Sequence, residues 1–235
     1  MNFVFDLYGT LADIWTDEGK AEVWRSLSEA LRGCRRRYKF AREQYASLCA
    51  VEKKYEGHEF DLLKVFEKML ASEGKDTSLA VQVAHNFRDA SMIRLSLFPH
   101  VAEILSGLKA RGAGVYLLSN AQSCFTRREL DTLGITELFD GIIISSEVGW
   151  KKPHKEIFDI AFEKFGICAE DSIYVGNDMM DDILGASGAG MRTVYIETEQ
   201  SRKYDGKALP SPDLVAKDHE DLKKILFSLA ENGAK

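Results

Sequence analysis

In FVFDLYGTLAD, residues 3 to 13, an apolar run ends on Asp6, and Tyr8, Gly9 and Thr10 follow. A carboxylate placed there can act as a nucleophile, forming an acyl intermediate that water later cleaves and so dividing one hard displacement into two easier ones. Three further clusters could join it: Ser119 and Asn120 after VYLL, Lys152 and Pro153 in GWKKPHKEIF, and Asn177, Asp178, Asp181 and Asp182 after SIYVG. Lys152 would offset the charge of a nucleophile and of departing oxygens. The acids would suit Mg2+, a hard ion that takes oxygen ligands. Asp178 and Asp182 are four apart and share one face of a helix's first turn, where carboxylates also simply favour the helix dipole. Each cluster alone reads more readily as a cap, a turn or a surface pair than as part of a site. Their recurrence in order, each after a strand-like run or at a helix start, is what points to a site.

The elements that would position these residues are legible as runs and periods. β-type runs recur at residues 3 to 5, 114 to 119, 141 to 145, 172 to 175 and 193 to 196, with a weaker one at 214 to 217. Helix-period positions lie between most of them: Val101, Ile104, Leu105 and Leu108, then Ile157, Ile160, Ala161 and Phe165, then Leu222, Ile225 and Leu226. This alternation predicts an α/β core with a doubly wound parallel sheet, whose ligand crevice lies at the carboxyl ends of the strands. Pro153 suits the first turn of the helix that follows it.

Residues 15 to 95 break the rhythm, with helical pattern and no strand signal. Trp24, Leu27 and Leu31 share one face, Tyr45, Leu48 and Val51 another, and Leu62, Val65, Phe66 and Met69 a third. The expectation is an inserted all-helical cap of about four helices over 15–95, placed in the first βα loop of a core formed by 1–14 and 96–235. An insertion at that loop lies over the crevice as a lid. Residues 197 to 213 read as a surface loop.

With 235 residues, 45% of them hydrophobic, the chain can bury a full core. Its formal net charge of -6 argues against a nucleic-acid or membrane-surface partner, which would need a basic field. A small anionic substrate remains compatible if the site is locally basic. Cys34, Cys49, Cys124 and Cys168 form no C-x-x-C pair, so neither a zinc site nor a disulfide framework is expected. No basic leader and no stretch of about 18 apolar residues stands out, which points to the cytoplasm.

The ordered set of motifs resembles the haloacid dehalogenase-like hydrolase superfamily over nearly the whole chain. FVFDLYGT matches the first motif, LLSN the second, the lysine of KKP the third and GNDMMDD the acidic fourth. The resemblance implies Asp6 as covalent nucleophile, Ser119 and Asn120 as hydrogen-bond partners of the transferred group, with Thr10 beside them, and Lys152 as charge stabiliser. It also implies a magnesium site formed by Asp6, the backbone carbonyl of Tyr8, Asp178 and Asp182. Asn177 departs from the usual aspartate of the fourth motif, which leaves Asp178, Asp181 and Asp182 as alternative ligands, with Asp181 expected to face solvent.

Tyr8 stands where phosphatase members of the superfamily carry a second aspartate that protonates the leaving alkoxide. A phenol with a pKa of about 10 is a poor substitute, and losing a positioned general acid costs about 10²–10⁴-fold. One reading keeps a Mg-dependent phosphatase acting on esters whose leaving group needs little protonation. A second is a metal-free 2-haloacid dehalogenase, since D-x-Y-G-T also occurs there and a halide leaves without a proton. A third is a weakly active binding or regulatory module. The aspartates of GNDMMDD favour the phosphatase, because they would repel one another without a cation. Of the remaining features, RGCRRRYK at residues 32 to 39 reads as a solvated face, Trp15 and Trp24 as packing residues, and His154 as a neighbour of Lys152 that could supply an acid.

Overall fold

The computed structural model describes residues 1–205 and 208–233. In chain order the elements are β1 Asn2–Phe5, β2 Ala12–Thr16, α1 Ala21–Arg32, α2 Tyr38–Glu52, α3 Leu62–Ser72, α4 Ala80–Ser91, β3 Met92–Leu97, α5 Val101–Ala110, β4 Gly114–Ser119, α6 Ser123–Leu133, β5 Gly141–Ile144, α7 Ser145–Val148, α8 Lys155–Phe165, β6 Ser172–Gly176, α9 Gly185–Gly188, β7 Arg192–Ile196, β8 Leu214–Ala216 and α10 His219–Gly233, with a π-helical turn at Met179–Leu184.

Phe3, Val4 and Phe5 are buried on both faces of their strand, which is why the run is apolar without alternation. β1 pairs in parallel with β4 on one side and β6 on the other, and Phe5 stands opposite both Leu117 and Val175. The sheet runs β5-β4-β1-β6-β7-β8, all parallel. One face packs Phe3, Phe5 and Val115 against α5 and α10 through Ile104, Leu105, Leu108, Leu222 and Leu226. The other packs Val4, Leu118 and Tyr174 against α8 through Ile157, Phe158 and Ala161. Chain order reverses around β1, so the carboxyl ends of β1, β4 and β6 open side by side into a crevice.

The helices α1 to α4 form a separate apolar cluster, in which the Trp24 ring meets Tyr45 and Phe87 edge-on at 5.3 and 5.4 Å. Phe66 and Phe87 are buried within it, each contributing roughly 2 kcal/mol of burial. Phe125 of α6 belongs to the same cluster and docks the helices onto the sheet-bearing part. Residues 15 to 95 are not wholly helical, however. β2 and β3 pair antiparallel, Ala12 with Leu97 and Ile14 with Leu95, and form a ribbon through which the chain leaves and returns. The helix after Pro153 also begins later than expected, at Lys155 with His154 as its cap. Among the described residues, no helix is long and apolar enough to cross a membrane.

Candidate active site

Asp6 follows β1 directly, and its backbone N–H donates to the Val175 carbonyl of β6 at 3.0 Å. Its side chain is held from two sides. Lys152 Nζ donates to Oδ1 at 2.7 Å, and the Thr10 hydroxyl lies 3.2 Å from Oδ2. Lys152 is itself buried, and its other two protons go to Asp182 Oδ1 at 2.7 Å and Tyr174 Oη at 2.8 Å. All three ammonium donors are therefore satisfied, which is what permits a lysine to be buried. Burial pushes the Asp6 carboxyl above its usual range, with Lys152 pulling it down and Asp182 adding to the rise. Burial would lower the lysine, but Asp182 and Asp6 outweigh it and keep Lys152 charged.

Two glycines allow this approach. Gly9 has φ +85, and a Cβ there would lie 2.3 Å from the Asn177 amide nitrogen. At Gly176 a Cβ would sit 2.4 Å from Asp182 Oδ2, so the absence of a side chain lets Asp182 fold back against the strand end toward Lys152.

Asn120 lines the same cavity as Asp6, yet its amide is already engaged. Its Oδ1 accepts from the Lys152 N–H at 2.8 Å and its Nδ2 donates to the Lys152 carbonyl at 3.0 Å, clamping the lysine's backbone. Ser119 is buried at the end of β4, its hydroxyl has no hydrogen-bond partner among the described residues, and it does not line the cavity that Asp6 and Asn120 share. Thr10 was expected at the substrate. It lies wholly buried beneath Asp6, between that carboxylate and Asn177 Oδ1 at 3.1 Å, because the Gly9 turn folds residue 10 back under the strand end.

The acidic cluster divides. Asp182 was expected at a metal; it is 1% exposed and committed to Lys152 and to the Asp178 N–H, 2.9 Å from Oδ2. Asp178 faces the cavity, with Oδ1 accepting from the N–H groups of Met180 at 2.9 Å and Asp181 at 2.7 Å. The loop after β7 covers it: Arg202 pairs with both Asp178 and Asp181, and the Tyr204 hydroxyl lies 2.8 Å from Asp178 Oδ1. Although burial works the other way, the Asp181 N–H and Arg202 hold the Asp178 carboxyl below its usual range. Asp181 does not face open solvent as expected; it is half-buried, lines the cavity and is raised by desolvation.

This cavity measures about 230 Å³, and its charged lining is Asp6, Asp178, Asp181 and Asp182 against Lys152 and Arg202. Four carboxylates against two cations leave two negative charges to be matched, and Asp6 and Asp178 line the same space together with Tyr8. The donor set therefore fits a hard divalent cation in kind. Among the described residues, no three metal-ligating side chains are drawn together, and Arg202 and Tyr204 occupy Asp178.

Tyr8 turns its hydroxyl away from a proton-donating role toward α6. It donates to Glu129 and lies 2.9 Å from Thr126 Oγ1. Glu129 is in turn held by Arg88 of α4, Nε to Oε1 at 2.6 Å. Burial first, then the Glu129 charge, raises the phenol well above its usual pKa, so it stays neutral.

The chain as a whole is similar to known proteins. A family model described as haloacid dehalogenase-like hydrolase matches residues 1–190. The chain belongs to this family. It is 33% identical over 135 residues to a glyceraldehyde 3-phosphate phosphatase of Methanothermobacter thermautotrophicus, covering 57% of this chain and 59% of that one. It is 32% identical over 155 residues to a phosphoserine phosphatase of Thermus thermophilus, covering 66% and 61%. The match thus spans about three fifths of the length of these relatives. In fold it is similar to a HAD phosphatase from Thermococcus onnurineus, with TM-score 0.60, 22% identity and coverage of 96% and 97%. It is equally similar to a 2-haloacid dehalogenase from Pseudomonas syringae, with TM-score 0.61, 23% identity and coverage of 97% and 99%.

Other expectations for this haloacid dehalogenase-like hydrolase fall outside the site. His154 packs against Gly57 and Trp150 and does not line the cavity. In the arginine run, Arg35 pairs with Glu22 and Glu29 and Arg32 with Glu73, all within the helical segment. The sequence reading missed Arg202, Tyr204, Glu129 and Arg88. The first two sit in a stretch with loop composition, and the last two look like ordinary surface charges of amphipathic helices.

Proposed function

We propose that this chain is a phosphatase of small phosphorylated metabolites that works through an aspartyl-phosphate at Asp6. Its core is formed by residues 1–14 and 96–235 and its cap by 15–95, with the β2–β3 ribbon straddling both boundaries. The observation that carries the reading is the Asp6 carboxylate at a strand end, gripped by Lys152 and Thr10 and facing a cavity it shares with Asp178. An Asp6 oxygen bonds to phosphorus as the ester oxygen leaves, and water then attacks phosphorus and returns the carboxylate. Lys152 spends all its donors on protein, so it acts by aiming Asp6 and keeping it ionised, while Asn120 and Asp182 hold the lysine. The Ser119 hydroxyl is unpartnered among the described residues but buried and does not line the cavity, so its proposed contact with a phosphoryl oxygen would require the end of β4 to move. Mg2+ is the cofactor proposed for the oxygens of Asp6, Asp178 and the Tyr8 carbonyl, where it would supply charge to offset the phosphoryl group. The four cysteines are free thiols, in keeping with a reducing compartment such as the cytoplasm.

With the Tyr8 hydroxyl committed to Glu129, no acid stands at that position, and the substrates favoured are those with stable leaving groups, such as aryl or acyl phosphates. The same observation favours dehalogenation as the second reading. Both are tested on one preparation, by phosphate release from p-nitrophenyl phosphate and halide release from 2-chloropropionate, each with and without EDTA. The phosphatase reading expects phosphate release that EDTA stops. Halide release that persists in EDTA would replace it with the dehalogenase. Neither product, with Mg2+ still raising the melting temperature, would leave a binding module.

A further inference from the structure

A second cavity of about 310 Å³ lies between the helices α2 to α4 and the start of α6, and Tyr8 lines both it and the Asp6 cavity. Its walls include the rings of Tyr45, Phe60 and Phe125, together with Glu18 and Arg88. Arg88 is already paired with Glu129, whereas the half-buried Glu18 carboxylate makes no hydrogen bond or ion pair among the described residues. Its charge is felt at Tyr45, and burial raises its pKa against the pull of Arg88.

The Glu18 carboxylate still reaches solvent but lacks an ion-pair partner among the described residues, and with Arg88 already paired to Glu129 its negative charge stands uncompensated against the aromatic walls. A ligand cation would restore the balance, and aromatic faces attract ammonium groups. An anionic tail would meet the unpaired Glu18 and an Arg88 already paired with Glu129, and a neutral tail would leave the carboxylate unpaired. The volume is at the lower end of small-ligand sites, enough for a short aminoalkyl group. We propose that this cavity holds the ammonium end of an amine-bearing acyl or aryl phosphate, with Glu18 as its counter-charge and the three aromatic rings as its walls. The inference rests on the phosphatase reading for the anionic end of the same substrate.

The test is calorimetric binding of 3-aminopropylphosphonate and propylphosphonate to the full chain with Mg2+, since neither ligand requires turnover. The amine is expected to bind about tenfold tighter or more, as a charge-assisted hydrogen bond supplies. Glu18→Gln should bring the ratio of the two affinities below about threefold, and Glu18→Asp, which keeps the charge, should retain most of it. Equal binding of the two ligands to the parent, binding of neither, or a ratio unchanged in Glu18→Gln would overturn the assignment. Hydrolysis of p-nitrophenyl phosphate, which carries no amine, reports separately on the phosphatase reading.

Discussion

Tyr8 occupies the position where an acid would stand, and its environment says what it does there. Its hydroxyl is tied to Glu129 and Thr126 on α6, and through Glu129 to Arg88 on α4, so it joins the helical segment to the sheet-bearing part and holds no proton for transfer. Placing a carboxylate at this position restores a group able to protonate an alkoxide. In Tyr8→Asp the kcat/KM for an alkyl phosphate should rise relative to that for p-nitrophenyl phosphate by about tenfold or more, the lower end of general-acid effects falling above this. An unchanged ratio would show that protonation does not limit the alkyl ester. Asp6 and Lys152 could be read from the sequence because each follows a recognisable motif and performs chemistry that few residue types can. Glu129 and Arg88 could not, since their partnership depends on how α4 docks against α6.

At the level of elements, strand ends were legible because buried parallel strands are apolar throughout and stop abruptly at polar residues. The β2–β3 ribbon was not. Ala12–Thr16 and Met92–Leu97 are short and lie some eighty residues apart in the chain, so no hairpin turn betrays their pairing. The loop after β7 was read as plain surface, yet Thr198 donates to the Gly9 carbonyl at 2.9 Å and Gln200 to Asp13 at 2.6 Å, which fastens it across the site. Arg202 on this loop competes with any cation for Asp178. Its side chain is 55% exposed, so the competition is screened and modest. Titration calorimetry on Arg202→Ala should show Mg2+ binding tighter by roughly two- to fivefold, the equivalent of one exposed ion pair. Unchanged or weaker binding would mean that Asp178 is not the cation's ligand.

Across the whole molecule, the alternation of strand and helix announced the doubly wound sheet, and the last helix closes it back onto the first motif. His219, at the start of α10, stacks on Phe98 at 4.6 Å and donates from Nε2 to the Thr10 carbonyl, 2.9 Å away. Burial lowers its pKa below the ordinary value, so the unfolded chain takes up the proton more readily than the folded one. The stability this neutral histidine contributes is present above the unfolded pKa of about 6.5 and is lost as pH falls through the lower folded pKa. The melting temperature should accordingly fall more steeply between about pH 7 and 5 in the parent than in His219→Gln, whose amide can still donate to Thr10. Parallel pH profiles would remove His219 as a source of acid sensitivity.

All of the proposed chemistry converges on one carboxylate, and replacing it isolates the claim. Asp6→Asn keeps the side chain's size and an oxygen for Lys152 or Thr10 while removing its ability to form the covalent intermediate. With thermal melting confirming that the variant is folded, release of p-nitrophenol from p-nitrophenyl phosphate in Mg2+ should drop to the rate without protein. Turnover at the parent rate would contradict Asp6 as the nucleophile.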